Sequence, residues 1–337
     1  MTTPPLVEFL RDPRSYPEAP SSVHLVQSHI SWVFIGDRYV YKVKKPVDFG
    51  FLDFSTLDKR RFYTHEELRL NSRFSPHVYL AVVPISRRNG SFALDDGSDI
   101  VEYALKMHLL DGERMLDRLL QAGRLGAADM ARVGTHLANV YGAIAADDYA
   151  RPFGSLETIG GNVRENFDQT RRYRGGPVTE AAFDAIQDWS LAFLDRHEHL
   201  FARRQRDGHI KDCHGDLHLQ HICLEDGRIS VFDCIEFNER FRFGDVASDV
   251  AFLAMDLDYN DHPALGDAFV DAYLAAAGDD SLREVLRFYK VYRAYVRAKV
   301  TSFMLDDPGL GAAARDAAFH RARRYYELAH RYVADDR

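Results

Sequence analysis

Apolar and polar positions alternate through much of the first hundred residues, then recur every three or four residues through most of the remainder. Alternation places side chains on opposite faces of a strand, and the longer spacing places them on one face of a helix. Residues 6–11 suggest a short helix, and residues 22–27 and 32–35 read as strands. Gly36-Asp37 is a hairpin turn signal, with Tyr39–Lys44 as the return strand. Pro46–Phe54 reads as a loop. Ser55, with Asp58 three residues on, predicts a capping box that opens a helix running to about Arg73. Strands follow near 78–85 and 100–109, joined by a polar tip at 89–98.

Beyond Leu110 the period changes. Residues 113–122, 127–147, 178–206, 246–257, 262–277 and 281–304 have helical spacing, and the clear strands shrink to 221–224 and 229–233. Residues 148–162, with Pro152, Gly154 and Gly160-Gly161, read as irregular. The fold class is α+β, with a β-rich part over residues 1–110 and a mostly helical part over 111–337.

Composition narrows the classes. Of 337 residues, 46% are hydrophobic and 28% charged, ordinary values for a soluble enzyme. A net charge of −8 argues against nucleic acid as a partner. Three cysteines, at 213, 223 and 234, cannot form a disulfide framework and fit a reducing cytoplasm. No apolar run approaches the roughly 20 residues that span a bilayer, and the N-terminus lacks a leader pattern. The expectation is a cytoplasmic protein without a membrane partner. Oligomeric state is not legible.

The chemistry concentrates after residue 212. Cys213-His214-Gly215-Asp216-Leu217-His218 precedes a short apolar strand, Ile229–Phe232, that ends in Asp233. Asp216 and Asp233 are each explicable as turn-capping carboxylates. Together they supply what phosphoryl transfer needs: a carboxylate for a hydroxyl proton and a second one for a metal. No Gly-x-x-x-x-Gly-Lys-Ser/Thr loop occurs, which removes that class of nucleotide site. In Tyr39–Lys44, Lys42 and Lys44 share a face, whereas Lys45 is off it and precedes Pro46. An edge strand guarded by lysines is the plainer explanation. Glu66 and Glu67 are the Glu residues of helix 55–73, and Glu67 lies nearer its apolar face.

Zinc is the rival for Cys213, His214, His218, His221, Cys223 and Cys234. No Cys-x₂₋₄-Cys pair occurs among them, so a structural zinc is not expected. Arg283, Arg287, Lys290, Arg293 and Arg297 recur at helical spacing, as a solvated face or as a cationic wall for an anionic substrate. The several Asp residues of 256–280 would instead attract a polycation, so acceptor charge stays open.

The order and spacing of His214-Gly215-Asp216-Leu217-His218 and Asp233 resemble the catalytic core of aminoglycoside phosphotransferases and the wider kinase-like fold. Residues 41–55 (YKVKKPVDFGFLDFS) and Phe232-Asp233-Cys234-Ile235-Glu236-Phe237-Asn238 resemble uncharacterised bacterial aminoglycoside-phosphotransferase-like proteins. The resemblance spans residues 23–305. It implies a two-lobed protein-kinase-like fold that moves phosphate from ATP to a hydroxyl of a small molecule.

It further implies Asp216 as base and Asp233 as the carboxylate on Mg²⁺. His221 stands where the family usually has a metal-binding Asn, although some of this group carry His there. An imidazole suits softer ions than Mg²⁺, so a shift toward Mn²⁺ is expected. His214 and Asp249 become structural supports of the catalytic loop. Lys42, oriented by Glu67, grips phosphate, with Lys44 and Glu66 as alternatives. The Gly-free turn Ser28-His29-Ile30-Ser31 covers the phosphates, with Ser28, His29 and Ser31 as contacts. The segment Lys106–Leu110, with Met107 and Leu109, reads adenine. Arg293 and Arg297 are candidate substrate contacts. Two rivals share the fold: a non-catalytic nucleotide-binding pseudokinase, and a protein kinase or nucleotidyl transferase.

Overall fold

The alternating first third becomes a six-stranded antiparallel sheet in the computed structural model, which describes residues 4–335 except 89, 96, 98 and 226. Its strands are β1 (His24–Gln27), β2 (Ser31–Ile35), β3 (Tyr39–Lys44), β4 (Tyr79–Arg88), β5 (Ser91–Ala93) and β6 (Ile100–His108), in the order β1-β2-β3-β6-β4-β5. One face of β3 buries Tyr41 and Val43 with Phe34, Ile85 and Ala104, under Val7 and Leu10 of helix α1 (Pro5–Arg11). Period two then commits Lys42 and Lys44 to the opposite face. Helix α2 (Leu57–Asn71) packs on β4 and β6.

The α2 cap falls one residue later than its sequence suggests. Thr56 accepts from the Lys59 N–H at 3.3 Å, while Ser55 donates from Oγ and N–H to Asp53, at 2.6 and 2.9 Å. Asp53 is the stronger acceptor and claims Ser55 first. Part of the polar tip expected at 89–98 pairs as β5; residues 89, 96 and 98 lie outside the described residues.

The sequence suggests one cut near residue 110. The chain instead divides into two units, residues 1–122 with 220–239, and 123–219 with 240–337. The first unit therefore also holds α3 (Leu116–Gln121) and the hairpin β8–β9 (Ile222–Glu225, Arg228–Val231).

The second unit is helical: α4 (Ala127–Ala143), α5 (Leu156–Thr170), α6 (Glu180–Arg196), α7 (Glu198–Arg206), α9 (Val246–Tyr259), α10 (Pro263–Ala277), α11 (Leu282–Phe303) and α12 (Ala312–Ala334). The one-turn α8 (Glu239–Arg242) straddles the division. A three-residue ladder pairs β7 (Ile210–Asp212) with β10 (Phe243–Asp245) and was too short for the periodicity to reveal. The stretch 178–206 is two helices, broken at His197. The end of the stretch expected to be irregular is the start of α5, because Ser155 caps the helix and its Ile159, Val163 and Phe167 outweigh Gly160-Gly161. Helix α12 has no counterpart in the sequence expectation.

Helix α9 is the centre of this unit, buried without a break from Val246 to Leu257. Asp245 caps it, accepting from Ala247 at 2.9 Å, and is itself held by the buried Arg204 guanidinium at 2.7 and 2.8 Å. Helix α10 packs on it, and α4 packs closely on α10. A Cβ at Gly134 would meet the Phe269 carbonyl at 2.4 Å, so only glycine permits that approach. Among the described residues no helix is long and apolar enough to cross a membrane.

Candidate functional site

In the first unit, both lysines of β3 meet one carboxylate. Lys42 Nζ lies 2.7 Å from Glu67 Oε1 and 2.6 Å from Asp233 Oδ1. Lys44 Nζ lies 2.6 Å from Glu67 Oε2 and also pairs with Glu236. Glu67 thus bridges two ammonium groups, with its side chain 1% exposed. Burial alone would lower the Lys42 pKa, but Asp233 and then Glu67 outweigh it and hold it well above the usual lysine value. Burial likewise works against the Glu67 anion, and the two lysines keep its pKa below the usual carboxylate value. Glu66 is turned to the surface, where it pairs with Arg69. Lys45 binds the Ser28 carbonyl at 2.7 Å.

Asp233 follows β9 in a left-handed backbone conformation, φ 64°, which a non-glycine residue adopts only when held there. Three polar side chains at the α2 end and in β4 hold it. Ser75 Oγ donates to the Val231 carbonyl and accepts from the Val231 N–H, at 2.8 and 2.7 Å. Tyr79 OH accepts from the Asp233 N–H at 3.0 Å, and Asn71 Oδ1 from the Cys234 N–H at 2.8 Å. The Asp233 side chain stays 43% exposed, with His221 Nε2 at 3.7 Å from its second oxygen.

The Ser28–Ser31 turn is closed by Ser28, while the buried Ser31 Oγ finds no partner among the described residues. Ser28 Oγ accepts from the Ile30 and Ser31 N–H groups at 3.3 and 3.0 Å, His29 is exposed, and Ser31 is buried. Met107 belongs to an apolar cluster with Val78, Tyr79, Leu105, Leu110 and Phe232. Leu109 does not join it: its side chain is exposed and its N–H donates to the Arg38 carbonyl at 2.9 Å.

In the second unit, the segment His214–Leu219 hangs on one face of α9. Asp249 accepts from the His214 N–H at 2.7 Å, the Gly215 N–H at 3.2 Å and Tyr141 OH at 2.6 Å. Two turns on, Asp256 accepts from the Leu219 N–H at 3.0 Å. Between these anchors Gly215 has φ 86°, a conformation that suits glycine. His214 is buried, and its Nδ1 accepts from the Asp216 N–H at 3.3 Å. The Asp216 carboxylate is one-third exposed, with its Oδ2 3.4 Å from His218 Nε2.

Arg293 is part of this scaffold. It donates to the Gly215 carbonyl at 2.9 Å and Ser248 Oγ at 2.9 Å, and meets Asp249 at 3.3 Å. Arg297, one turn further along α11, sits beside the Phe252 and Tyr325 rings.

Sequence reasoning missed Glu236, Asp256, Tyr141 and the Asn71, Ser75 and Tyr79 clamp. Only Asp256 carried a signal, the two-turn spacing from Asp249 that puts both carboxylates on one helix face. The three cysteines are buried and form no disulfide.

A model of the family described as phosphotransferase enzyme family matches residues 38–289. An uncharacterized protein of Mycobacterium tuberculosis is 31% identical over 288 residues, which are 86% of this chain and 56% of that protein. The chain thus spans about half the length of the curated relatives it matches. Among solved structures, the GDP complex of aminoglycoside 2'-phosphotransferase-IIIa aligns over 99% of this chain and all of that one, with TM-score 0.58 and 12% identity. Choline kinase from Cryptosporidium parvum aligns over 98% and 95%, with TM-score 0.56 and 10% identity. At these identities the likeness is one of fold: a two-lobed kinase-like architecture with a β-sheet lobe and a helical lobe.

Proposed function

The chain belongs to the phosphotransferase enzyme family, and from that premise we propose that it transfers the γ-phosphoryl group of ATP to a hydroxyl of a small molecule. The observation that carries this reading is the pair of lysines held by Glu67 next to Asp233. Lys42, the partly exposed one, is held by the buried Glu67 as a preorganised grip for phosphate oxygens, while the buried Lys44 braces Glu67 from the other side. Asp233 offers a hard, half-exposed carboxylate, which suits Mg²⁺, and His221 adds an imidazole that tolerates Mn²⁺. When bound, the ion would neutralise charge on the phosphates.

Asp216 is the proposed base. The acceptor O–H proton passes to its carboxylate as the acceptor oxygen bonds the γ-phosphorus. The bond from that phosphorus to the β,γ-bridging oxygen breaks, and ADP leaves. His214, Asp249, Asp256 and Arg293 hold the Asp216 loop. Met107 and its apolar neighbours suit an adenine ring, whereas the engaged Leu109 N–H contributes less.

His221 favours one rival, a nucleotide-binding protein without turnover. Calorimetric titration with ATP, with and without Mg²⁺, followed by turnover in Mg²⁺ and Mn²⁺, separates the two. The wild type is expected to bind ATP more tightly with metal and to turn it over. Asp233→Ala is expected to lose the metal-dependent part of the affinity, and His221→Asn to shift preference toward Mg²⁺. Metal-dependent binding that survives Asp233→Ala would remove Asp233 from the site. Binding without turnover in either metal would favour the rival.

A further inference from the structure

The charge of the acceptor, left open by the sequence, can be argued from which ionic groups in the second unit are already engaged. Four of the seven Asp residues in the acidic run that would attract a polycation already face a cation, while Asp267 and Asp280 are exposed. Asp258 pairs with Lys290 at 2.8 Å and also accepts from Tyr332 OH. Asp261 lies 3.8 Å from Arg324, Asp271 2.6 Å from Arg283, and Asp279 2.8 Å from Arg204. Asp256 is buried and turned inward, where it accepts from the Leu219 N–H at 3.0 Å.

Arg297 presents the opposite situation. Among the described residues its hydrogen bonding is one long contact, from Nε to Tyr325 OH at 3.4 Å, and no carboxylate lies within 4.0 Å of its guanidinium. The Phe252 and Tyr325 rings lie 6.0 and 5.6 Å from its guanidinium carbon, and the side chain is half-buried between them and solvent. His218 packs on the same Phe252 ring and meets Asp216 at 3.4 Å. Asp216 is also among the charges that act on Arg297, after the Tyr325 hydroxyl. A half-buried guanidinium whose terminal N–H groups bond no group among the described residues can take an oxyanion through paired N–H donors.

We propose that the acceptor is an alcohol that also carries an anionic group, a carboxylate or a phosphate monoester, which Arg297 binds while the hydroxyl is presented to Asp216. This rests on the phosphotransferase reading above. It makes Arg297 a specificity-determining contact and separates it from Arg293, whose donors hold the Asp216 loop.

The test is ATP-dependent phosphorylation of a defined panel, followed by phosphorus NMR. Gluconate and glycerate represent carboxylates, glucose 6-phosphate and glycerol 3-phosphate represent phosphate monoesters, and kanamycin, choline, ethanolamine and glucose represent the cationic and neutral alternatives. Turnover is expected in one of the anionic arms, and which arm responds identifies the anion. Arg297→Met is expected to raise the acceptor KM roughly 30-fold or more, the loss of a charged hydrogen bond. Arg297→Lys, which keeps the charge and the packing, should fall between, and ATP affinity should hold in both.

Preferred turnover of a cationic or neutral member overturns the inference, as does anionic turnover indifferent to Arg297. A protein that binds MgATP but neither phosphorylates nor binds any anionic member in direct titration also overturns it, and leaves the kinase reading standing. If metal-dependent ATP binding is absent, the kinase reading falls. Titration of the same anions against wild type and Arg297→Met then decides the anion site alone, and equal affinities reject it.

Discussion

Replacing Asp216 with Asn is expected to lower turnover by about 10²-fold or more while leaving ATP affinity near that of the wild type. The substitution keeps size and shape and removes the carboxylate proposed to accept the proton. It should not release the loop, because the loop is suspended elsewhere: the His214 and Gly215 N–H groups on Asp249, and the Leu219 N–H on Asp256. A fall in turnover with an unchanged melting temperature therefore reports chemistry rather than unfolding. Steady-state ADP release, paired with calorimetric ATP titration, measures both. Unchanged turnover would take Asp216 out of the mechanism.

Glu67→Gln is expected to have the largest effect on stability. One buried carboxylate answers two buried ammonium groups, and the amide that replaces it carries no charge. Removing one partner of a buried ion pair costs about 3–5 kcal/mol, because the remaining charge stays out of water. Lys42 keeps Asp233 and Lys44 keeps Glu236, which places the expected loss near the lower end, about 3 kcal/mol. That corresponds to roughly ten degrees in melting temperature for a unit of this size. ATP affinity should fall with it, since the lysines lose the group that aims them. Glu66→Gln, on the surface beside Arg69, is the control and should be close to neutral. Equal melting temperatures for the two variants would show that Glu67 does not balance the lysines.

What the sequence disclosed followed from how each feature is encoded. The strand that carries Lys42 and Lys44 was legible because alternation is local, and so was their shared face. That both would meet Glu67 was not, since side-chain reach across a sheet and a helix leaves no mark in spacing. Asp216 and Asp233 stood out because carboxylates at turn and strand ends are conspicuous. The clamp on Asp233 did not, because Asn71, Ser75 and Tyr79 read as ordinary helix-end and strand residues until the chain returns more than 150 positions later. Arg293 and Arg297 were indistinguishable as a repeating cationic face. Only the approach of Gly215 and Ser248 to the first of them, and of two aromatic rings to the second, divides their roles. Helix α5 was missed because Gly160-Gly161 punctuates a sequence whose cap and apolar spacing prevail.

The return of residues 220–239 to the first unit sets an order on how the protein is made. Lys42, Lys44 and Glu67 leave the ribosome long before Asp233 and Glu236, which lie 191 and 192 positions from the lysines they pair with. Until then, two cations and one anion would have to be buried with a surplus positive charge, so the sheet has reason to stay open during synthesis. A fragment ending at residue 122 is expected to show little amide protection in hydrogen exchange. Appending residues 220–239 directly to it through a flexible linker should restore protection in β3 and α2. Nascent chains of this protein therefore pass through a long interval in which most of the first unit is synthesised but unfinished, the interval in which a chaperone or a protease would meet it.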